Sequence, residues 1–298
     1  MDNFNKLEAE HVISQMEKPE SKWKEMWNSL KENKAAVVGL VIVVFLIVLA
    51  IFGRAFMPYD PNYQNPSKTF QTPCVDYWFG TDNFGRDIFS RILYGARTSL
   101  TVGVLSVSIS LSVGTILGAI AGYKGGKVDT IIMRLMDMML AIPSILLAIA
   151  FMAALGRGLD KAIIAIGIVS IPEYARIVRG CVLSVKENDY VQAAKVIGNS
   201  DSRIIFKHIL PNVLSSIIVR ATLGISTAVL ETAALGFLGL GVQPPYAEWG
   251  SMLGDAKAFM LAAPYMLVFP GVAITITVLA FNLLGDGLRD AIDPKSRK

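Results

Sequence analysis

Charge is what this sequence has least of. Asp, Glu, Lys and Arg make up 17% of its 298 residues, against about 25% in ordinary soluble domains. Cysteine is scarcer still. Cys74 and Cys181 fall on different segments, so there is no disulfide framework to build from, and no bond between them is expected. The two histidines, His11 and His208, stand alone, which excludes a His/Cys metal centre with ligand spacing. A phosphate cradle is also missing. The nearest approach to Gly, four residues, Gly-Lys-Ser/Thr is Gly126-Lys127, with Ala121 in place of the first glycine and Val128 in place of the hydroxyl. Gly236, Gly239 and Gly241 follow no strand pattern and resemble a nucleotide loop in glycine content alone. No nucleophile–base constellation stands out, so the chain reads as non-catalytic by itself. The formal net charge of +4 is spread along the flanks of apolar stretches. That pattern argues against nucleic acid as a partner and for orientation in a membrane.

Apolar residues, by contrast, make up 53% of the chain. About 20 of them in a helix cross a hydrocarbon core of about 30 Å, and uncharged windows of that size recur. The expectation is an all-α polytopic membrane protein with six transmembrane helices and the lipid bilayer as its solvent. Residues 1–34 form a polar tail in which Trp23, Met26, Trp27 and Leu30 make one apolar stripe on a basic helix. That stripe suits either a membrane surface or the protein's own polar end. Residues 35–56 form the first span, with no cleavage site after it. Residues 57–97 are a polar, proline-bearing excursion. The core, 98–285, holds five further spans. These are Thr98–Tyr123, Met138–Gly156 with Pro143 bending it, Ala162–Val185, Val213–Leu230, and Pro264–Leu284, which Gly285-Asp286-Gly287 is expected to stop. Residues 231–263 form a second excursion, and 286–298 a basic tail. Ser106, Ser110, Gly114, Gly118 and Gly122 recur every four residues in the second span, a stripe expected to serve close helix packing. With six spans and both ends inside, 18 of the 28 Lys and Arg fall on the cytoplasmic side and 8 outside, as the positive-inside rule requires.

One polar island carries the most information. Tyr190 to Asn212 reads YVQAAKVIGNSDSRIIFKHILPN. Ala193 and Ala194 are small, strong helix formers. Gly198 permits a left-handed turn, Asp201-Ser202 can cap a helix over Arg203–Ile209, and Pro211 suits the opening of the next helix. Gln192-Ala193-Ala194, Gly198 and Leu210-Pro211 resemble the coupling loop of ATP-binding-cassette importer permeases, with Gln192 where that family has Glu. The resemblance implies that the 190–211 loop docks on a separate ATPase.

The likeness extends along the chain. Phe79-Gly80-Thr81-Asp82-Asn83-Phe84-Gly85-Arg86-Asp87 is similar to the peptide and nickel importer branch of that family. So are Gly239-Leu240-Gly241-Val242-Gln243-Pro244-Pro245, Glu248-Trp249-Gly250 and the stretch from Asn282 to Asp290. Within the branch the chain is most similar to the second permease of dipeptide, oligopeptide and glutathione importers. This implies a type I importer fold in a bacterial cytoplasmic membrane, working by alternating access. It also implies a second homologous permease, one or two ATP-binding subunits that hold ATP and Mg²⁺, and an extracytoplasmic substrate-binding protein. The two excursions, 57–97 and 235–263, are expected to face that protein. A nickel complex is the alternative cargo. An ion-coupled secondary transporter or a membrane scaffold are alternatives of a different class.

Charges within spans cost about 2.5–3.5 kcal/mol each at mid-membrane. Arg134–Asp137 and Glu173–Arg176, at i, i+3, are expected to pair locally. Arg220 has no acidic neighbour on its own helix. It either faces the translocation pathway, where a guanidinium can hold a peptide carboxylate, or pairs with Glu173 or Asp137 of another helix. Arg220 and Glu173 are the candidate pathway residues.

Overall fold

The computed structural model describes residues 22–292. Residues 1–21 and 293–298, which include His11, most of the predicted N-terminal tail and the end of the C-terminal one, lie outside the described residues, as does the side chain of Trp23. Helix α1 (Lys22–Glu32) leads into α2 (Lys34–Phe52), where the Asn33 side chain accepts from the Ala35 and Ala36 amides. The stripe on α1 is divided between two environments. Leu30 is buried against the last helix, while Trp27 is 47% exposed with the Lys31 ammonium over its ring.

Helix α3 (Ile88–Lys124) begins well before Thr98. Asp87 caps it, its carboxylate accepting from Ser90 N at 2.8 Å and Ser90 Oγ at 2.6 Å. Arg91 is absorbed into this first part rather than left in the excursion. It is 3% exposed and donates to the Pro61 carbonyl at 3.0 Å.

The expected span Met138–Gly156 is not one bent helix. Helix α4 (Gly126–Leu140) and α5 (Ser144–Leu155) meet at 91°. Pro143 stands before α5 rather than inside a helix. The residue preceding a proline is driven from the helical region, and the proline itself has no N–H to continue a ladder. The chain therefore stops and restarts, and the Pro143 carbonyl accepts the Leu146 and Leu147 amides at the start of α5.

Helix α6 (Leu159–Val185) is followed by the short α7 (Asp189–Val196). A helical turn Asp201–Arg203 and a π segment Ile204–Ile209 then run straight into α8 (Leu210–Phe237). The cap of this helix is Ser200, without a side-chain bond, so Asp201-Ser202 do not cap it as expected. Pro211 has no amide to give the Lys207 carbonyl. The wider π turn, in which Leu210 N donates to Ile205 O, carries the helix past it without a break. Helix α9 (Trp249–Ala256) and α10 (Tyr265–Ile292) complete the bundle.

Helix α10 passes through Gly285 and Gly287 instead of stopping there. A Cβ on Gly285 would meet Leu223 at 2.4 Å, and one on Gly287 would meet Ala36 at 2.1 Å. These glycines admit neighbouring helices rather than end their own.

Among the described residues, four stretches are long and apolar enough to cross a membrane: Lys34–Phe56, Ile88–Lys124, Asp201–Phe237 and Tyr265–Ile292. The bent pair α4 and α5 adds a fifth when the two are counted as one span. The span expected over Ala162–Val185 falls within α6, which is long enough at 27 residues, about 40 Å, but carries Asp160, Lys161, Glu173, Arg176 and Arg179 and so falls outside that set. It is housed by packing. Gly114, Gly118 and Gly122 of α3 lie against its backbone, and Ser106 Oγ donates to the Ile163 carbonyl at 3.1 Å. The small-residue stripe is a helix-packing device.

Candidate functional site

At one end of the bundle α7 lies across the ends of α6 and α8. Its apolar residues split by helical phase. Val191 and Ala194 are buried among Val178, Val182, Ile204, Ile205 and Ile209. Gln192 and Ala193 lie on the open face, with Val196 at 88% and Ile197 at 80% exposure. Gly198 then turns with φ +85° and nothing within reach of its missing Cβ, so conformation rather than crowding requires glycine there. Asn199 closes the turn, its Nδ2 donating to the Ala194 carbonyl at 2.9 Å. Gln192 Nε2 donates to the Lys186 carbonyl at 2.9 Å, tying the segment back to α6. A glutamate at 192 has no N–H for that bond. Tyr123 at the end of α3 donates to Asp201 at 3.1 Å. Leu210 is half-buried and Pro211 exposed at the start of α8. Together, Gln192, Ala193, Ala194 and Gly198 form one firmly seated elbow, with Leu210 and Pro211 in the helix that follows.

Arg176, Arg179 and Arg220 pair with carboxylates of other helices, not of their own. Arg179 makes a two-pronged bond to Asp129, with Nε at 2.5 Å and Nη2 at 2.6 Å. Arg176 Nη2 lies 2.6 Å from Asp137. Arg220 of α8 is ion-paired with Glu173 of α6. The expected local pairs Arg134–Asp137 and Glu173–Arg176 therefore do not form, because each acid is taken by an arginine from a neighbouring helix. Asp129 was not singled out from the sequence. Its signal was charge balance: Arg176, Arg179 and Arg220 need one more carboxylate than Asp137 and Glu173 provide.

The other end of the bundle joins the two excursions. Asp82 accepts from the Phe84 and Arg86 amides at 2.8 and 2.9 Å and from Arg86 Nε at 2.5 Å. Arg86 Nη2 in turn lies 3.6 Å from Asp255 of α9. Gly85 has φ +72°, and a Cβ there would strike the Asn65 carbonyl oxygen at 1.9 Å. Glu248 caps α9 through the Gly250 and Ser251 amides, at 2.7 and 2.8 Å, and receives the Ser99 hydroxyl at 3.4 Å. Burial pushes its carboxyl up to about 7, against the pull of those bonds. Trp249 Nε1 donates to the Ile92 carbonyl at 3.1 Å and its ring fills the space beside Gly95. The motifs around Asp82 and Glu248 thus brace this end of the bundle.

The chain as a whole has relatives among known proteins. Residues 114–298 match the family of the binding-protein-dependent transport system inner membrane component, and residues 21–73 match the N-terminal TM domain of oligopeptide transport permease C. The chain is 53% identical over 277 residues to the dipeptide transport system permease protein DppC of Alkalihalophilus pseudofirmus, covering 93% of this chain and 91% of that one. It is 49% identical over 274 residues to the glutathione transport system permease protein GsiD of Escherichia coli, covering 92% and 90%. An inward-facing MetNI methionine ABC transporter structure shares the fold, with a TM-score of 0.57 at 20% identity over 68% of this chain and 97% of that one. The helical spans and the family match agree, and the chain belongs to the binding-protein-dependent transport system inner membrane component family as a multi-pass membrane permease.

Proposed function

We infer that this chain is the permease subunit of an ATP-driven importer of dipeptides and oligopeptides. Its two relatives named for dipeptide and glutathione transport support a peptide cargo, since glutathione is itself a tripeptide. They favour peptides over a nickel complex, and the family favours ATP over an ion gradient as the fuel. The subunit works beside a second homologous permease, one or two ATP-binding subunits that carry ATP and Mg²⁺, and an extracytoplasmic substrate-binding protein. Both termini are cytoplasmic in this reading, supported by the excess of Lys and Arg on that side. Arg220 and Glu173 line the pathway.

The observation that carries the reading is the two-faced α7. Val196 and Ile197 are held out into solvent by a segment whose other face is fixed to the bundle. An exposed apolar pair on a rigid support marks a docking surface. The ATPase seats there through Gln192, Ala193 and Gly198. A push on α7 passes to Ile204, Ile205 and Ile209, which begin a continuous helix from Asp201 to Phe237. That helix is a lever about 55 Å long, and it bears Arg220.

The test is recovery of partners with tagged protein in mild detergent. The native chain should bring an ATPase, and Val196→Glu/Ile197→Glu should lose it while keeping the same yield. Native protein that repeatedly purifies without any ATPase would defeat the proposal and put an ion-coupled transporter first.

A further inference from the structure

The exposed faces of the spanning helices differ in chemistry. On α2 the exposed residues include Val41, Val44, Phe45, Ile47, Val48 and Ile51, as a surface against lipid tails requires. On α8 one face carries Ser216 and Thr227, both exposed, and Arg220 and Glu231, both half-buried, with Leu230 exposed at its edge. Steps of four, seven and four residues at about 100° each keep those four within about 60° of one another. Charges on such a face are too costly to meet hydrocarbon, so it borders a polar space.

Within that face the Arg220–Glu173 pair is unevenly anchored. The Tyr174 ring lies under the guanidinium, 5.4 Å from Arg220 Cζ, and steadies its plane. The Arg220 side chain is 21% exposed, against 46% for Glu173. The guanidinium meets Glu173 through Nη2, while its Nε is buried with no hydrogen-bond partner among the described residues. The cation is therefore fixed and only partly used, and the anion is the accessible, replaceable member. The donor edge open to an incoming carboxylate is the Nη edge that Glu173 now holds, and a planar guanidinium can grip a carboxylate there with two parallel bonds.

We propose that Arg220 receives the terminal carboxylate of the peptide in transit. Glu173 is the resident counter-ion that this carboxylate displaces, and it then faces the peptide's ammonium group. A zwitterion brings no net charge, so the exchange replaces one ion pair with two and leaves no unpaired charge inside the bundle. This rests on the peptide-importer reading and adds to it the group by which the permease itself recognises its cargo.

The experiment uses the complete importer, assembled with its partner subunits in proteoliposomes, with labelled alanyl-alanine as probe. Thermal midpoint and ATP-driven uptake are read together. Arg220→Lys keeps a cation for Glu173 but removes the planar fork, so its midpoint should hold while uptake falls about tenfold. Arg220→Gln should lose both. The exchanged pair Arg220→Glu/Glu173→Arg should regain the midpoint and leave uptake low. Uptake restored along with the midpoint in the exchanged pair would reduce Arg220–Glu173 to a brace and overturn the proposal, as would native uptake by Arg220→Lys. A native complex that accumulates no alanyl-alanine with ATP would overturn the importer reading and this proposal together, a result the variants cannot mimic.

Discussion

Gly118 of α3 touches the main chain of α6: a Cβ placed on it would lie 2.3 Å from the Ala175 carbonyl oxygen. One turn either side, Gly114 would strike Tyr174 Cβ at 2.5 Å and Gly122 the Arg179 carbonyl at 2.9 Å. The obstacles are largely backbone and cannot swing away. The same contacts hold Glu173, Arg176 and Arg179 in reach of their partners, so the packing stripe and the charge cluster are one construction.

Gly118→Val should therefore destabilise the bundle by about 3 kcal/mol or more. The expected result is loss of folded protein in mild detergent, read as the monodisperse fraction on size exclusion. Gly271→Ala is the matched control, since nothing lies within 4 Å of its missing Cβ. A helical alanine there should leave the yield unchanged or raise it. Equal yields from both variants would contradict the close approach.

Asp129→Asn should strand the Arg179 guanidinium, whose side chain is 31% exposed. Loss of a two-pronged, charge-assisted contact is worth about 2 kcal/mol. Asp129→Asn/Arg179→Gln should recover part of this, because the uncompensated charge leaves with its partner. A thermal-denaturation cycle over the four proteins measures the coupling, and simple additivity of the two single effects would mean the pair contributes nothing.

That pair also marks where the sequence stops being legible. Ala35 to Gly53 announces its helix by apolarity alone, and the four-residue stripe from Ser106 to Gly122 announces a close contact. The left-handed turn between α7 and the next helix also stands in the residues, at Gly198. Partner choice does not. Glu173 and Arg176 have a favourable spacing, yet each prefers a group on another helix, and that is decided by packing thirty to fifty residues away. Boundaries fail for a related reason. Arg91 reads as solvent-exposed until the Pro61 carbonyl and Asp82 are seen around it. Gly285 and Gly287 read as a stop until Leu223 and Ala36 fill the space their side chains would need. In each case tertiary contact overrides local preference.

The two faces of α7 make a paired prediction. Val191 is 3% exposed and Val196 is 88% exposed. Val191→Asp places a carboxylate among Val182, Ile205 and Ile209, at a cost of about 3 kcal/mol or more, and should lower the thermal midpoint of the isolated subunit. Val196→Asp should leave the isolated subunit unchanged and weaken only its association with the ATPase. A Val196→Asp protein that is itself unstable would mean this face is covered within the bundle rather than presented to a partner.

Glu248 gives stability a dependence on pH. Its carboxyl is raised by burial from the usual 4.5 to about 7 in the folded protein. Between those values the unfolded chain releases a proton that the folded chain keeps. Raising the pH through this window therefore favours the unfolded state. The contribution is full below about 4.5, is lost as pH rises towards 7, and is flat above. Its upper size is about 3 kcal/mol. Thermal midpoints taken from pH 5 to pH 8 should fall, and Glu248→Gln should flatten the part of the slope that this group contributes. The glutamine keeps one acceptor for the Gly250 or Ser251 amide and has no proton to lose, so its absolute midpoint should be lower at pH 5. An identical slope in the native and Glu248→Gln proteins would mean that the two amide bonds and the Ser99 hydroxyl hold Glu248 ionised throughout, and that its burial is fully compensated.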